Sequence, residues 1–157
     1  MTAIERGRRV TAAEWRRGVR VGIDVGNVRV GVSRSDPDGI LATPLVTLRR
    51  DPEGGAEIGE IAQIVAEYEA IEVVVGLPVA LNGKEGLAAA AVRQYAARLT
   101  ERLPGIGVVF ADERMSTVVA GRRLAERGVK GRRQRAVVDQ AAAVEILQGY
   151  LDARRRL

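Results

Sequence analysis

The sequence contains no cysteine and no histidine. The lack of cysteine excludes disulfides, thiolate zinc sites and a cysteine nucleophile, and the lack of histidine excludes an imidazole general base. Catalysis by this chain must therefore rest on carboxylates, hydroxyls, arginine, lysine or a metal ion held by oxygen ligands. Aromatic residues make up only 3% of the chain, so stacking of bases on aromatic rings is not a major mode of nucleic-acid binding.

Long apolar runs are also missing. No segment approaches the about 20 consecutive apolar residues of a membrane span, and the basic stretch MTAIERGRRVTAAEWRR lacks the apolar core of a secretory signal. We therefore expect a cytoplasmic protein without membrane contact. Residues 1–18 are predicted to form a flexible basic extension in which Trp15 docks on the body of the protein, and residues 19–157 are predicted to form a single domain.

The net charge of +5 is unevenly distributed along the chain. Residues 1–20 hold six arginines and two glutamates, and residues 122–135 hold six arginines and one lysine against one glutamate. Residues 49–86 hold three basic and eight acidic residues. Separation of this kind can form a basic surface for a phosphate backbone. The alternative for residues 129–135 is a solvated basic loop without a ligand.

The pattern of apolar residues and turns predicts the order strand, strand, strand, helix, strand, helix, strand, helix, helix. Short connections at Gly26-Asn27 and at residues 35–39 predict an antiparallel meander. The second helix is expected to bury Leu87, Ala91, Tyr95 and Leu99. The third is expected from Ser116 or Thr117 to about Gly128, and the last over 136–151. This order predicts an α/β fold with a mixed five-stranded sheet and helices on both faces.

Asp24 lies near the end of the first predicted strand and points to the face opposite Val21 and Ile23. A buried carboxylate is costly unless it is paired or bound to a cation. Gly22 and Gly31 leave space beside this aspartate, which suggests an opening for a metal ion. The alternative is an ion pair of Asp24 with Arg29 across the turn.

Two further acidic sites lie at comparable places. Asp112 and Glu113 end the fifth predicted strand, and Asp139 lies in the first predicted turn of the final helix. Ligands in such sheets gather at the carboxyl ends of the strands, so these groups can converge with Asp24. Convergent carboxylates without histidine or cysteine suit Mg²⁺ or Mn²⁺. Taken alone, Asp139 can also be a carboxylate that stabilises a helix N-terminus.

Basic residues surround these predicted acids and indicate the class of substrate. A positive rim around a carboxylate centre fits a phosphodiester that is held by arginine and cut by metal-activated water. The turn around Asn82 and Gly83 is expected to shape the rim of the site and to contact the substrate. The arginines expected to hold the substrate backbone are Arg114, Arg132, Arg133 and Arg135.

Four motifs occur in order: GIDVGNVRVGVS (22–33), VVVGLPVALNG (73–83), ADERMST (111–117) and VVDQAAAVEIL (137–147). Together they resemble the YqgF/RuvX family of pre-16S ribosomal RNA nucleases or Holliday-junction resolvase-like proteins. The resemblance implies a ribonuclease H-like fold and divalent-metal phosphodiester hydrolysis. It implies that Asp24, Glu113 and Asp139 are the catalytic and metal-binding residues, with Asp112 as the second candidate of the DER pair.

Three functions stay open at this stage. The first is cleavage of structured RNA at the 5′ end of the small-subunit ribosomal precursor, by a monomer or a homodimer. The second is resolution of four-way DNA junctions by a dimer, which is weakened because 73–83 lacks the extra acid of junction-resolving relatives. The third is a non-catalytic nucleic-acid-binding factor. Residues 24–31 also resemble a phosphate loop of the actin and sugar-kinase superfamily, but 157 residues cannot supply the two domains required.

Overall fold

The computed structural model describes residues 15–113 and 132–155. The strands are β1 (Arg20–Val25), β2 (Arg29–Ser35), β3 (Ala42–Arg49), β4 (Glu72–Leu77) and β5 (Gly107–Asp112). The helices are α1 (Ala56–Glu67), α2 (Leu87–Arg102) and α3 (Arg132–Arg155). Each of these elements was predicted in this order, whereas the helix predicted over 116–128 lies outside the described residues.

The five strands form one sheet in the order β3-β2-β1-β4-β5. The pairs β1–β2 and β2–β3 are antiparallel, and the pairs β1–β4 and β4–β5 are parallel. The turn after β1 closes with a 2.9 Å hydrogen bond from the Gly26 amide to the Arg29 carbonyl. The predicted meander and the predicted mixed sheet are both confirmed.

Helices cover both faces of the sheet, as the sequence predicted. One face packs against α1 and α2, and its core contains Val21, Ile23, Val30, Val73, Ile58, Ile61, Val92 and Leu99. The other face packs against α3, and its core contains Val74, Ala142, Ile146, Leu147 and Leu151. Because successive strand residues point to opposite faces, Val21 and Ile23 lie towards α1 and α2, and Asp24 lies towards α3.

The buried face of α2 differs from the prediction. Leu87 is 92% exposed and Ala91 is also exposed, although Tyr95 and Leu99 are buried as expected. The buried stripe begins instead at Ala89, and it continues through Val92 and Ala96. Leu87 and Ala91 each lie two positions from the buried Ala89, and residues two positions apart point to nearly opposite sides of a helix. Ala89 therefore lies on the buried face of α2, and the larger Leu87 lies on the exposed face.

Helix α3 begins earlier than the sequence suggested. The predicted basic loop over 129–135 and the predicted helix start at 136 are wrong for residues 132–135, which belong to α3. Arginine and glutamine are good helix formers, and residues 132–139 contain no proline or glycine that would stop the helix there. Asp139 therefore lies about two turns inside α3. The helix dipole acts within the first turn, so it does not account for this aspartate.

Trp15 docks against the domain, as expected. The guanidinium carbon of Arg20 is 3.7 Å from the centroid of the Trp15 ring, and the ring also packs against Gly39. Residues 1–14 lie outside the described part of the chain, so the flexible extension stays a prediction. In the described residues, the structure has no helix that is long and apolar enough to cross a membrane.

A candidate active site at the carboxyl ends of the strands

Asp24 lies near the carboxyl end of β1 and is only 1% exposed. Its partner in the antiparallel register is Gly31 on β2. A Cβ added to Gly22, two residues earlier on the same face, would stand 2.9 Å from the Ala143 carbonyl of α3. The two glycines therefore admit the backbone of α3. The expected opening for a metal ion beside Asp24 stays a prediction.

Glu113 follows β5 directly and is 8% exposed. A Cβ added to Gly76 on β4 would stand 3.1 Å from the Glu113 Oε1 atom and 2.5 Å from Ile146 of α3. The carboxylate of Glu113 thus reaches over Gly76 on the face that α3 covers. Strand β4 lies between β1 and β5. Asp24 at the end of β1 and Glu113 after β5 therefore approach the same part of this face from opposite sides of β4.

The strand register directs the two acids of the DER motif towards different faces of the sheet, although Asp112 also lines a cavity beside Ile146 and Tyr150 of α3. Asp112 pairs in register with Leu77, whose side chain packs in the core beneath α1 and α2. Paired residues of neighbouring strands share a face, so Asp112 lies towards that core and Gly76, one residue earlier, lies towards α3. Of the two candidates, Glu113 is the one that the fold brings to the face of Asp24.

Asp139 faces the sheet from α3 and is 6% exposed. Its carboxylate accepts a hydrogen bond from Arg29, whose Nε atom is 2.7 Å from Oδ2. The sequence analysis offered an ion pair between Arg29 and Asp24 across the turn as an alternative. Among the described residues, Arg29 instead forms its ion pair with Asp139.

The site thus combines three buried carboxylates, Asp24, Glu113 and Asp139, from three separate elements. Their hard oxygen donors and their burial fit a divalent cation such as Mg²⁺ or Mn²⁺. Within residues 15–113 and 132–155, however, no three acidic side chains lie close enough together to form a ready-made metal cluster. At Asp139 the charge is balanced by Arg29, which occupies the Oδ2 atom, so a metal ion that binds through Oδ2 would have to displace the guanidinium.

The predicted substrate-binding turn lies at the same end of the sheet, after β4. The Asn82 side chain accepts a 3.0 Å hydrogen bond from the Lys84 amide, and Gly83 has a positive φ of 83°. Both residues are exposed. The turn is therefore built by Asn82 and Gly83 themselves, and their contact with substrate stays a prediction.

The predicted basic residues are only partly described. Arg135 is exposed on α3, about one turn before Asp139. Arg132 and Arg133 belong to the same helix, but their side chains lie outside the described part. Arg114 lies outside it altogether.

Sequence reasoning missed the polar contacts that fix α3 on the sheet. The Ser33 hydroxyl donates a 2.8 Å hydrogen bond to the Ala143 carbonyl, and the Thr47 hydroxyl donates one of 2.8 Å to the Ala136 carbonyl. Ser33 lies two residues after Gly31 and therefore on the same face of β2. These two small residues, on a strand that is otherwise apolar, were the sequence signal from which the packing could have been predicted. They mark the place where a helix backbone lies close to the sheet.

Comparisons with known proteins agree on a family. The sequence profile described as "RuvX: Holliday junction resolvase" matches residues 18–153. A protein of Frankia casuarinae described as "Putative pre-16S rRNA nuclease" is 57% identical over 137 residues, which are 87% of this chain and 68% of that protein. A protein of Nocardia farcinica with the same description is 52% identical over 160 residues, which cover 98% and 89% of the two chains.

One solved structure supports the fold. It is described as "T. thermophilus RuvC in complex with Holliday junction substrate", and it superposes with a TM-score of 0.54 over 88% of this chain and 96% of that one. The identity is 17%, so the likeness concerns the fold alone. The predicted ribonuclease H-like architecture is confirmed.

Proposed function

This chain belongs to the family described as RuvX, Holliday junction resolvase, and from that premise we propose that it is a divalent-metal-dependent nuclease. Its proposed substrate is the 5′ end of the small-subunit ribosomal RNA precursor. Relatives that are 52–57% identical are described as pre-16S rRNA nucleases, which favours this RNA over other nucleic acids. The observation that carries the proposal is the set of three buried carboxylates on one face of the sheet.

The residues proposed to hold one or two metal ions are Asp24, Glu113 and Asp139, with Asp112 as the further candidate. When bound, such an ion would supply the Lewis acidity and the activated water that phosphodiester hydrolysis needs. The chain itself supplies a buried setting, in which charges interact more strongly than they do in water. Helix α3 and the strands hold the backbones of Asp139 and Asp24, so the rearrangement needed to bind a metal ion is confined to side chains, among them Arg29.

The basic residues near α3 are proposed to bind the phosphate backbone. Arg135 is exposed about one turn before Asp139, and residues 122–135 have an excess of six positive charges. Arginine suits this role because its planar guanidinium can bind phosphate through two hydrogen bonds. The exposed turn at Asn82 and Gly83 is proposed to form the other rim of the substrate site.

A second candidate is resolution of four-way DNA junctions, which the description of the family profile favours. The same carboxylates would serve in this reaction, since the scissile bond is again a phosphodiester. Symmetric cleavage of a junction would require a dimer with two active sites.

The experiment compares two labelled substrates, an RNA that spans the 5′ boundary of the small-subunit precursor and a four-way DNA junction, each with Mg²⁺ or Mn²⁺. Asp24→Asn is expected to lower RNA cleavage by at least about 100-fold. The matched control is Asp38→Asn, which alters an exposed aspartate paired with Arg17. This variant should cleave the RNA at the wild-type rate. Circular dichroism checks that both variants are folded.

The outcomes separate the candidates. Cleavage of the junction alone would replace the RNA substrate with DNA. The wild type and Asp24→Asn could instead bind both substrates equally well and cut neither. This result would contradict the nuclease and favour a non-catalytic binding factor.

A further inference from the structure

The ion pair between Arg29 and Asp139 occupies one of the three proposed metal ligands. The Nε–H group of Arg29 donates to Asp139 Oδ2 over 2.7 Å, and the two side chains are 24% and 8% exposed. Charge-assisted hydrogen bonds of this kind are stronger than neutral ones. A metal ion that binds Asp139 through Oδ2 must therefore displace the guanidinium, and one that binds through Oδ1 is repelled by its positive charge.

The backbone of Asp139 is fixed, which limits how this competition can be resolved. Its carbonyl packs so closely on Gly31 that an added Cβ would overlap it. One turn away, the Ala136 carbonyl accepts the hydrogen bond of Thr47. Asp139 cannot withdraw from the sheet unless α3 repacks as a whole.

Arg29 is the partner that can move. Its side chain is long and about a quarter exposed, and so it has a route to solvent. It lies on β2, two residues before Gly31, and therefore on the face that carries Asp24 and Asp139. A rotation of this side chain would free Asp139 Oδ2 without any change in the backbone.

We propose that Arg29 is a cation-exchange residue: its guanidinium neutralises Asp139 until a divalent metal ion takes its place. The inference rests on the metal site of the proposed function. A buried carboxylate without a counter-charge is costly, so Arg29 stabilises the fold before the metal is bound. It also lowers the affinity for metal, because the ion pair has to open first.

The first test observes the exchange directly in the full chain labelled with ¹⁵N. During a Mg²⁺ titration, the Arg29 Nε–H signal is expected to move to the position that it has in Asp139→Asn without Mg²⁺. Arg29→Met identifies the signal by its disappearance. The internal reference is Arg17, whose exposed 2.8 Å ion pair with Asp38 should be unaffected.

The second test measures Mn²⁺ affinity by calorimetry. Arg29→Met should bind Mn²⁺ about tenfold more tightly, which corresponds to about 1.4 kcal/mol of competition removed. Arg17→Met, which removes an equal charge and an exposed ion pair of similar length, should change the affinity less than about twofold. In an Asp139→Asn background, Arg29→Met should have no further effect, because the double-mutant cycle isolates the coupling of the two residues.

Failure of the inference can be told from failure of the metal site. If Mg²⁺ shifts the amide signals around Asp24 while the Arg29 signal stays in place, the metal site is supported and the exchange is wrong. If Mg²⁺ and Mn²⁺ change no signal and release no heat in either wild type or Arg29→Met, the metal site fails and the exchange fails with it. If Arg29→Met does not fold, Arg29→Lys, which keeps a positive charge beside Asp139 but has no Nε–H group of arginine, identifies the signal in its place.

Discussion

The backbone carbonyl oxygen of Asp139 occupies the place that a Cβ atom on Gly31 would take. Gly31→Ala should therefore push α3 away from β2, and we expect it to destabilise the protein by about 1–3 kcal/mol, as overpacking of a core does. Urea unfolding measures this loss. The same displacement would separate Asp139 from Asp24, so metal binding should weaken as well.

A glycine in the same helix provides the control. A Cβ on Gly149 of α3 meets nothing within 4 Å. Gly149→Ala should stabilise the protein by about 0.5–1 kcal/mol, because glycine inside a helix is less favourable than alanine. Equal losses in both variants would contradict the close packing of α3 on Gly31.

Glu57 is a buried carboxylate between α1 and α2. Its two oxygens accept hydrogen bonds of 3.0 Å from the Tyr95 hydroxyl and from the Asp51 amide. Tyr95→Phe removes one of these donors and leaves a buried charge less satisfied, so we expect a loss of about 1–3 kcal/mol in the free energy of unfolding. Tyr68→Phe, at the half-buried tyrosine that directly follows α1, is the control and should change stability by less.

Alkaline pH should destabilise the fold through two tyrosines. Burial, and then the nearby Glu57 and Glu72, raise the pKa of Tyr95 and the pKa of Tyr150 far above the usual value. Above about pH 10 the unfolded tyrosines lose their protons while the folded ones keep them. The folded state then binds more protons, so stability falls as the pH rises.

Urea unfolding between pH 8 and 11 measures this effect. The decline should be smaller in the double variant Tyr95→Phe/Tyr150→Phe, which has neither proton to lose. A decline as steep as in the wild type would assign it to other groups.

Local patterns predicted most of the fold. The alternation of Val21 and Ile23 with Asp24 predicted which residues of β1 face each side of the sheet. The Gly26-Asn27 turn predicted that β2 is the antiparallel partner of β1. The same alternation placed Asp24 opposite the apolar core, which made it a candidate ligand before any contact was known.

The missing parts depend on contacts between residues far apart in the chain. Arg29 and Asp139 are separated by 110 positions, and no local pattern distinguishes this pairing from one between Arg29 and the nearby Asp24. The start of α3 was missed because a run of arginines is compatible with both loop and helix. The buried face of α2 was missed because Ala89 is small and carries a weak apolar signal.

Glu72 stabilises a buried arginine at the amino ends of β1 and β4, opposite the end that holds the candidate site. It lies 3.6 Å from Arg20 Nε and accepts a 2.7 Å hydrogen bond from Tyr150. Glu72→Gln should cost about 3 kcal/mol, because it leaves the charge of Arg20 buried without its partner. Unfolding followed by the single tryptophan, Trp15, which stacks on Arg20, measures the loss. The control, Glu85→Gln, removes an exposed partner of an arginine and should cost less than about 1 kcal/mol, so equal losses would contradict this role of Glu72.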